Sequence, residues 1–223
     1  TTPPAEIGMS LEDVDTPALL LDLDAFERNL DRMATAIADK PVKLRPHSKS
    51  HKCAVIGLEQ MARGAVGLCC QKVGEAEAMV AGGVLNVLVS NQIVGRTKLL
   101  RLAALAKQAE WVGVCADHAN NVYQLNEAAA EMDARLNVLV EIDTGAARCG
   151  VVPGQPAVDL AKQIENAKHL NFAGLQAYQG RAQHVRSYEQ RRRAAEAGIA
   201  LTGETMKALS AVGLDCEIVG GAG

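Results

Sequence analysis

The segment Arg45-Pro46-His47-Ser48-Lys49-Ser50-His51-Lys52-Cys53 crowds two histidines and two lysines into one short stretch. Read as the end of a strand, it alternates its side chains, so that His47, Lys49 and His51 share one face while Ser48, Ser50 and Lys52 share the other. An ammonium held among other potential cations and partly shielded from water gives up its proton more readily. That is the condition a lysine needs to condense with an aldehyde. Basic loop clusters are commonly solvated faces, so the chemistry depends on what the rest of the chain brings to the same place.

Positioning such a cluster falls to the regular elements. After an extended Thr16–Leu23, Asp24 is expected to cap a helix whose Phe26, Leu30, Met33 and Ile37 recur at helical steps, with Glu27 completing a capping-box pair. Apolar runs follow at Val66–Cys70, Val84–Ser90, Trp111–Cys115, Leu136–Ile142, Phe172–Tyr178 and Cys216–Val219. Segments long enough for crossover helices separate them, for example Thr97–Lys107 with Leu99, Leu102 and Leu105. Ser187–Ala211 has helical composition, and its Arg191-Arg192-Arg193 run fans round the helix as a solvated surface.

Strands apolar throughout are buried on both faces. The β-then-α rhythm, without an N-terminal G-x-G-x-x-G, predicts an α/β fold of the (β/α)8 barrel type over a doubly wound sheet. One domain over residues 1–223 is expected, with residues 1–23 as an extended lead-in. Polar residues gather where the runs end: Lys49, Gln71, Lys72, Asn91, Gln92, Asp117, Glu141, Asp143, Tyr178 and Gln179. In a barrel these positions share the mouth used for catalysis. The terminal Val219-Gly220-Gly221-Ala222-Gly223 follows a late strand, where the glycines Gly220, Gly221 and Gly223 let backbone N–H groups approach a phosphate. A lysine suited to Schiff-base chemistry and a phosphate-type turn together point to pyridoxal phosphate.

Composition narrows the partners. The 223 residues are 48% hydrophobic and 3% aromatic, enough for a core of Ala, Val and Leu. A net charge of −3 gives no reason to expect nucleic acid or an anionic membrane. No apolar stretch reaches the roughly 20 residues that span a bilayer, and the start lacks the regions of a signal peptide, so a cytoplasmic location is expected. The six cysteines (Cys53, Cys69, Cys70, Cys115, Cys149, Cys216) show no metal or disulfide spacing and read as reduced thiols. In an extended Cys69-Cys70 pair the two thiols point to opposite faces.

The segments Arg45–Lys52, Cys69-Cys70-Gln71-Lys72-Val73-Gly74-Glu75-Ala76, Ser90-Asn91-Gln92-Ile93-Val94-Gly95, Val140–Gly145, Arg148-Cys149-Gly150 and Leu175–Gly180 together resemble the D-threonine aldolases and the related D-3-hydroxyaspartate aldolases. The resemblance covers nearly the whole chain. It implies the alanine-racemase-like barrel of fold-type III pyridoxal phosphate enzymes, with Lys49 in Schiff base with the cofactor and Lys52 a bystander. It also implies Arg148 facing the phenolic oxygen of the cofactor, Tyr178 near the pyridine nitrogen, and Gln71 and Asn91 near the ring. His47 and His51 either relay protons or orient Lys49. The implied reaction cleaves a D-β-hydroxy-α-amino acid to glycine and an aldehyde, aided by a divalent metal (Mn2+ or Mg2+) whose ligands lie outside this chain, in a homodimer.

Where the family continues with a glycine-rich loop containing threonine, this chain has Ala222. It stops before an eighth barrel strand, and a barrel lacking a strand leaves sheet edges exposed, so the chain is read as incomplete. The full-length protein is expected to turn over substrate, and residues 1–223 alone are expected not to hold cofactor. Three other readings compete. A D-serine or D-3-hydroxyaspartate dehydratase shares the fold but eliminates the hydroxyl. A pyridoxal phosphate carrier is a single barrel of similar length, without the flanking histidines. Asp143-Thr144-Gly145 matches the aspartic protease tripeptide, yet such enzymes need two facing aspartates in an all-β fold, so Asp143 is better read as a polar residue at the barrel mouth or a cap on the following turn.

Overall fold

The computed structural model describes residues 3–221. Ala222 and Gly223 of the expected phosphate turn lie outside the described residues. The chain divides into two compact units, Thr1–Lys43 and Leu44–Gly223. In the first, helix α1 covers Leu23–Ile37, and Asp22 caps it by accepting from the Ala25 N–H at 2.8 Å. The expected cap, Asp24, is already inside the helix, where its charge favours the N-terminal dipole. Phe26, Leu30 and Ile37 are half-buried as expected, whereas Met33 is exposed.

The second unit alternates helices with parallel strands: α2 (Ala54–Ala62), β1 (Leu68–Cys70), α3 (Val73–Ala81), β2 (Asn86–Gln92), α4 (Arg96–Leu105), β3 (Trp111–Ala116), α5 (Ala119–Glu131), β4 (Leu136–Glu141), α6 (Gln155–Glu165), β5 (Leu170–Gln176), α7 (Tyr188–Ser210) and β6 (Ile218–Gly220). Each strand pairs in parallel with the next, in the order β1-β2-β3-β4-β5-β6. A seventh position precedes β1, because Leu44–Ser48 runs beside it: Val66 N–H donates to Leu44 O, Cys69 N–H to Pro46 O, and Ser48 N–H to Cys69 O. Sequential parallel neighbours joined by helices make a β/α barrel wall. Among the described residues its edges are the Leu44–Ser48 segment and β6.

The outward side chains of the strands, including Val87, Val89, Val114, Val138 and Val140, form the main core with Met79, Leu102, Leu125 and Ile164 from the helices. The inward side chains Leu88, Cys115, Leu139 and Ala173 form a second cluster with Cys69, Trp111 and Ile218 packed against it. Cys69 and Cys70 therefore do face opposite sides, and both belong to the apolar packing. Trp111 lies over Gly113, where any Cβ would meet its ring, and the Arg45 guanidinium stacks 5.0 Å from the indole while donating to Asn86 Oδ1 at 2.7 Å. These residues fill the inner floor, remote from the mouth along the strands.

One irregularity sets the alternation of β5. Val138 pairs with Phe172 but Leu139 with Gly174, so Ala173 is an extra residue. Gly174 adopts φ +130°, and an added Cβ would overlap the backbone carbonyl of Ile218 on β6. A side chain here meets both backbone strain and a fixed wall. Gly174→Ala is expected to destabilise the protein by more than about 2 kcal/mol, read as a lower urea midpoint; an unchanged midpoint would contradict this packing.

Candidate active site

Parallel pairing brings every strand's C-terminal end to one rim, and the polar strand-end residues assemble there. The cluster that opens the sequence is not extended throughout. His47 bridges to Cys69, and the chain then turns through Ser48–His51, closing when the Lys52 N–H donates to Ser48 O at 2.7 Å with Lys52 at φ +51°. Ser48 anchors this turn from a fully buried position: its hydroxyl donates to Cys69 O at 3.0 Å and contacts Cys70 Sγ at 3.4 Å. Lys49 stands on the turn with its side chain exposed.

Because the backbone turns, the expected face of His47, Lys49 and His51 is not formed. His47 Nδ1 accepts the Lys49 backbone N–H at 3.3 Å, which leaves the neutral ring its proton on Nε2, facing Ser90 Oγ at 3.4 Å. Burial lowers the pKa of His47, and the neighbouring Lys49 charge lowers it further, against the opposing pull of Glu75 and Gln71. His51 instead accepts the Cys53 N–H on Nδ1 at 3.1 Å and lies beside Gln60 of α2, its pKa lowered by burial. His51 Nε2 and Gln60 Oε1 are both buried without a hydrogen-bond partner.

Next along the rim, Gln71 follows β1. Its backbone N–H is pinned by Glu75 Oε2 at 2.7 Å, a side chain in the first turn of α3. Asn91 of β2 donates from Nδ2 to Gln71 O at 3.4 Å. Gln92 donates to Glu141 Oε2 at 2.6 Å, and Glu141 Oε1 lies 3.6 Å from Arg148 Nη2. Arg148 rides on a loop that Asp143 organises by accepting the N–H groups of Gly145 and Ala147 at 2.9 and 3.0 Å. Those bonds hold the Asp143 carboxyl below its usual range, so Asp143 is a cap. The same loop is tied down where the Gly150 N–H donates to Asp117 Oδ2 at 2.9 Å.

The Arg148 guanidinium sits 5.5 Å from the centre of the Tyr178 ring, a cation–π geometry. Gly180 makes room for that ring, since an added Cβ would lie 2.6 Å from Tyr178 Cε1. Beyond β5, Ala177 N–H donates to Gly220 O at 2.7 Å. Cβ atoms on Gly220 or Gly221 would run into Gln176 Oε1 or the Ala177 carbonyl. The fixed Ala177 carbonyl thus requires Gly221, whereas at Gly220 only the mobile end of Gln176 would have to shift. No group of three or more His, Cys, Asp or Glu among the described residues could hold a metal ion.

Residues 21–223 match the family model for the alanine racemase N-terminal domain. The chain belongs to that family. Within it, the chain is 42% identical over 221 residues to a D-threonine aldolase from Arthrobacter sp, covering 99% of this chain and 58% of the relative. It is 43% identical over 221 residues to a 3-hydroxy-D-aspartate aldolase from Paracoccus denitrificans, covering 99% and 57%. The crystal structure of the D-threonine aldolase from Filomicrobium marinum superposes with a TM-score of 0.96 at 54% identity, over all of this chain and 60% of that one. A D-threo-3-hydroxyaspartate dehydratase from Delftia is more distant, at 28% identity over 92% of this chain and 54% of the relative. The chain therefore spans somewhat under two thirds of the length of the relatives it matches.

In this alanine racemase-type half-barrel, the predicted site residues fall into two groups. His47, Lys49, Gln71 and Asn91 cluster at the first strands, and Arg148, Tyr178, Gly220 and Gly221 lie at the last ones. His51 is turned towards α2, and Gly223 is outside the described residues. Three residues that the sequence did not single out as site residues support these groups: Ser48 under the lysine turn, and Gln92 and Glu141 between the two halves. Glu141 had a signal in sequence, an acid closing an otherwise apolar strand. Its pairing with Gln92, 49 residues before, and Arg148, 7 after, had none.

The two lowered histidines set a pH dependence. Between their folded values and the ordinary 6.5, the unfolded chain binds more protons than the folded one, so stability is full above 6.5 and falls as pH drops below it. The urea midpoint is expected to fall between about pH 7 and about pH 5, and less steeply in a His47→Asn, His51→Asn double variant. Equal slopes for the two proteins would contradict the assigned burial.

Proposed function

We propose that this chain is the cofactor-binding half of a pyridoxal-phosphate-dependent aldolase that cleaves a D-β-hydroxy-α-amino acid, of the D-threonine or D-3-hydroxyaspartate type, to glycine and an aldehyde. The observation that carries this reading is an exposed Lys49 on a rigidly anchored turn at the mouth, in a chain closer in sequence to aldolases than to a dehydratase. The donor set suits an aldehyde cofactor bearing several anionic oxygens. It offers the exposed Lys49 amine, a guanidinium held against an aromatic ring, side-chain amides and a glycine-lined strand end.

When bound, pyridoxal phosphate supplies an electron sink for the pair left on Cα as the Cα–Cβ bond breaks. Lys49 would hold the cofactor, Arg148 would meet its phenolic oxygen, where a fixed cation stabilises negative charge, and Tyr178 would lie near the ring nitrogen. Gln71 and Asn91 would flank the ring, and the backbone N–H groups of Gly220, Gly221 and Gly223 would meet the phosphate. His47, neutral through burial and accepting the Lys49 N–H, acts as a positioning residue for the lysine turn. His51, whose Nδ1 accepts the Cys53 N–H just before α2, is turned away from the lysine.

A divalent metal, Mn2+ or Mg2+, at the substrate hydroxyl is part of this reading, with ligands outside these residues. A homodimeric cytoplasmic enzyme acting on a free D-amino acid completes the reading. The full-length protein given D-threonine or D-3-hydroxyaspartate is expected to release glycine and an aldehyde. Ammonia with a keto acid would identify a dehydratase instead, and absence of turnover with cofactor bound would identify a carrier.

A further inference from the structure

The two halves of the rim are joined through one buried carboxylate. Glu141, the last residue of β4, has a side chain only 6% exposed, whereas that of Arg148 is 56% exposed. Glu141 Oε2 is fixed by the Gln92 amide at 2.6 Å, across the intervening strand β3, and Oε1 faces Arg148 at 3.6 Å. An exposed arginine otherwise samples many rotamers, and an ion pair with an equally mobile acid would hold it weakly. Here the acid cannot move. At 3.6 Å the pair attracts without a hydrogen bond, which leaves guanidinium donors for an incoming acceptor.

Resting on the proposed cofactor and reaction, we infer that Glu141, oriented by Gln92, is the positioning residue that fixes Arg148 against Tyr178 as a site for one oxyanion of the bound ligands. That oxyanion is either the cofactor's phenolic oxygen or the substrate's carboxylate. The charged and titratable groups facing Glu141 are Arg148, Asp117, Cys115 and Cys149. Burial raises the Glu141 pKa while Gln92 and Arg148 oppose the rise. Acidification thus neutralises Glu141 at a higher pH than an ordinary carboxylate and releases Arg148.

The test uses the full-length holoenzyme with Glu141→Gln, and Gln92→Met as a second variant that leaves the carboxylate in place. Folding is followed by thermal melting, and the readouts are the cofactor's visible absorption band, its dissociation constant and the kcat and KM for D-threonine. If the phenolic oxygen is the anion, Glu141→Gln shifts the pH at which the band changes in the absence of substrate. Cofactor binding also weakens about tenfold, the loss of one charge-assisted contact. Any inflection in cofactor affinity that Glu141 contributes, above the range of an ordinary carboxylate, disappears. If the carboxylate is the anion, the band holds while KM rises about tenfold with kcat little changed. Gln92→Met moves the same readout in the same direction by less.

A folded Glu141→Gln protein with wild-type band, affinity and KM would overturn the inference. Should Glu141→Gln fail to fold, an unmoved Gln92→Met protein would overturn it. Lys49→Ala distinguishes this failure from that of the underlying reading. If Lys49→Ala keeps the visible band unchanged, the cofactor reading fails; if it loses the band while the Glu141 and Gln92 variants are unmoved, only the positioning inference fails.

Discussion

Parallel pairing of every strand with its successor is the constraint on which the rest depends. Because neighbours run the same way, each connection must return along a helix, and each strand's C-terminal residue arrives at the same rim. Residues as distant in sequence as His47 and Ser90, or Gln92 and Glu141, meet there as a direct consequence. A one-residue slip in β2 or β4 would turn those side chains into the helix layer and leave polar groups buried without partners.

The wall divides its labour between two faces. Towards the helices, Val and Leu are packed to full burial, which supplies the hydrophobic stabilisation. Towards the axis Trp111, Leu88 and Leu139 close the wall below the mouth, with Arg45 and Asn86 paired beneath them and the remaining polar groups gathered at the top layer. That arrangement gives the site a rigid base. Ser48 and Glu141 illustrate its cost, since each buried polar group must find a partner: Ser48 uses Cys69 O, and Glu141 uses Gln92 and Arg148.

Much of this was legible in the chain. Six apolar runs became β1 to β6 with ends shifted by about two residues, within the usual uncertainty of boundaries. The long helix at Tyr188–Ser210 stands within the expected segment, with Ser187 as its cap. Asp22 displaced Asp24 as the cap of α1 because a local side-chain bond, invisible in the hydrophobic pattern, decides where the first turn begins. The strand-like alternation at Arg45–Cys53 failed for a similar reason. Burial of Ser48 and the left-handed Lys52 turn the backbone after His47, which sends His51 towards α2 and leaves Lys49 exposed at the rim. The Glu141 bridge needed the three-dimensional register, since no local pattern pairs a residue with one 49 positions away.

The central assignment is that Lys49, and not its neighbour Lys52, carries the cofactor. Borohydride reduction of the full-length holoenzyme, followed by proteolysis and mass mapping of the pyridoxyl group, tests it most directly. Label confined to Lys49 is the expected result. Label on Lys52, or on neither lysine, would contradict it.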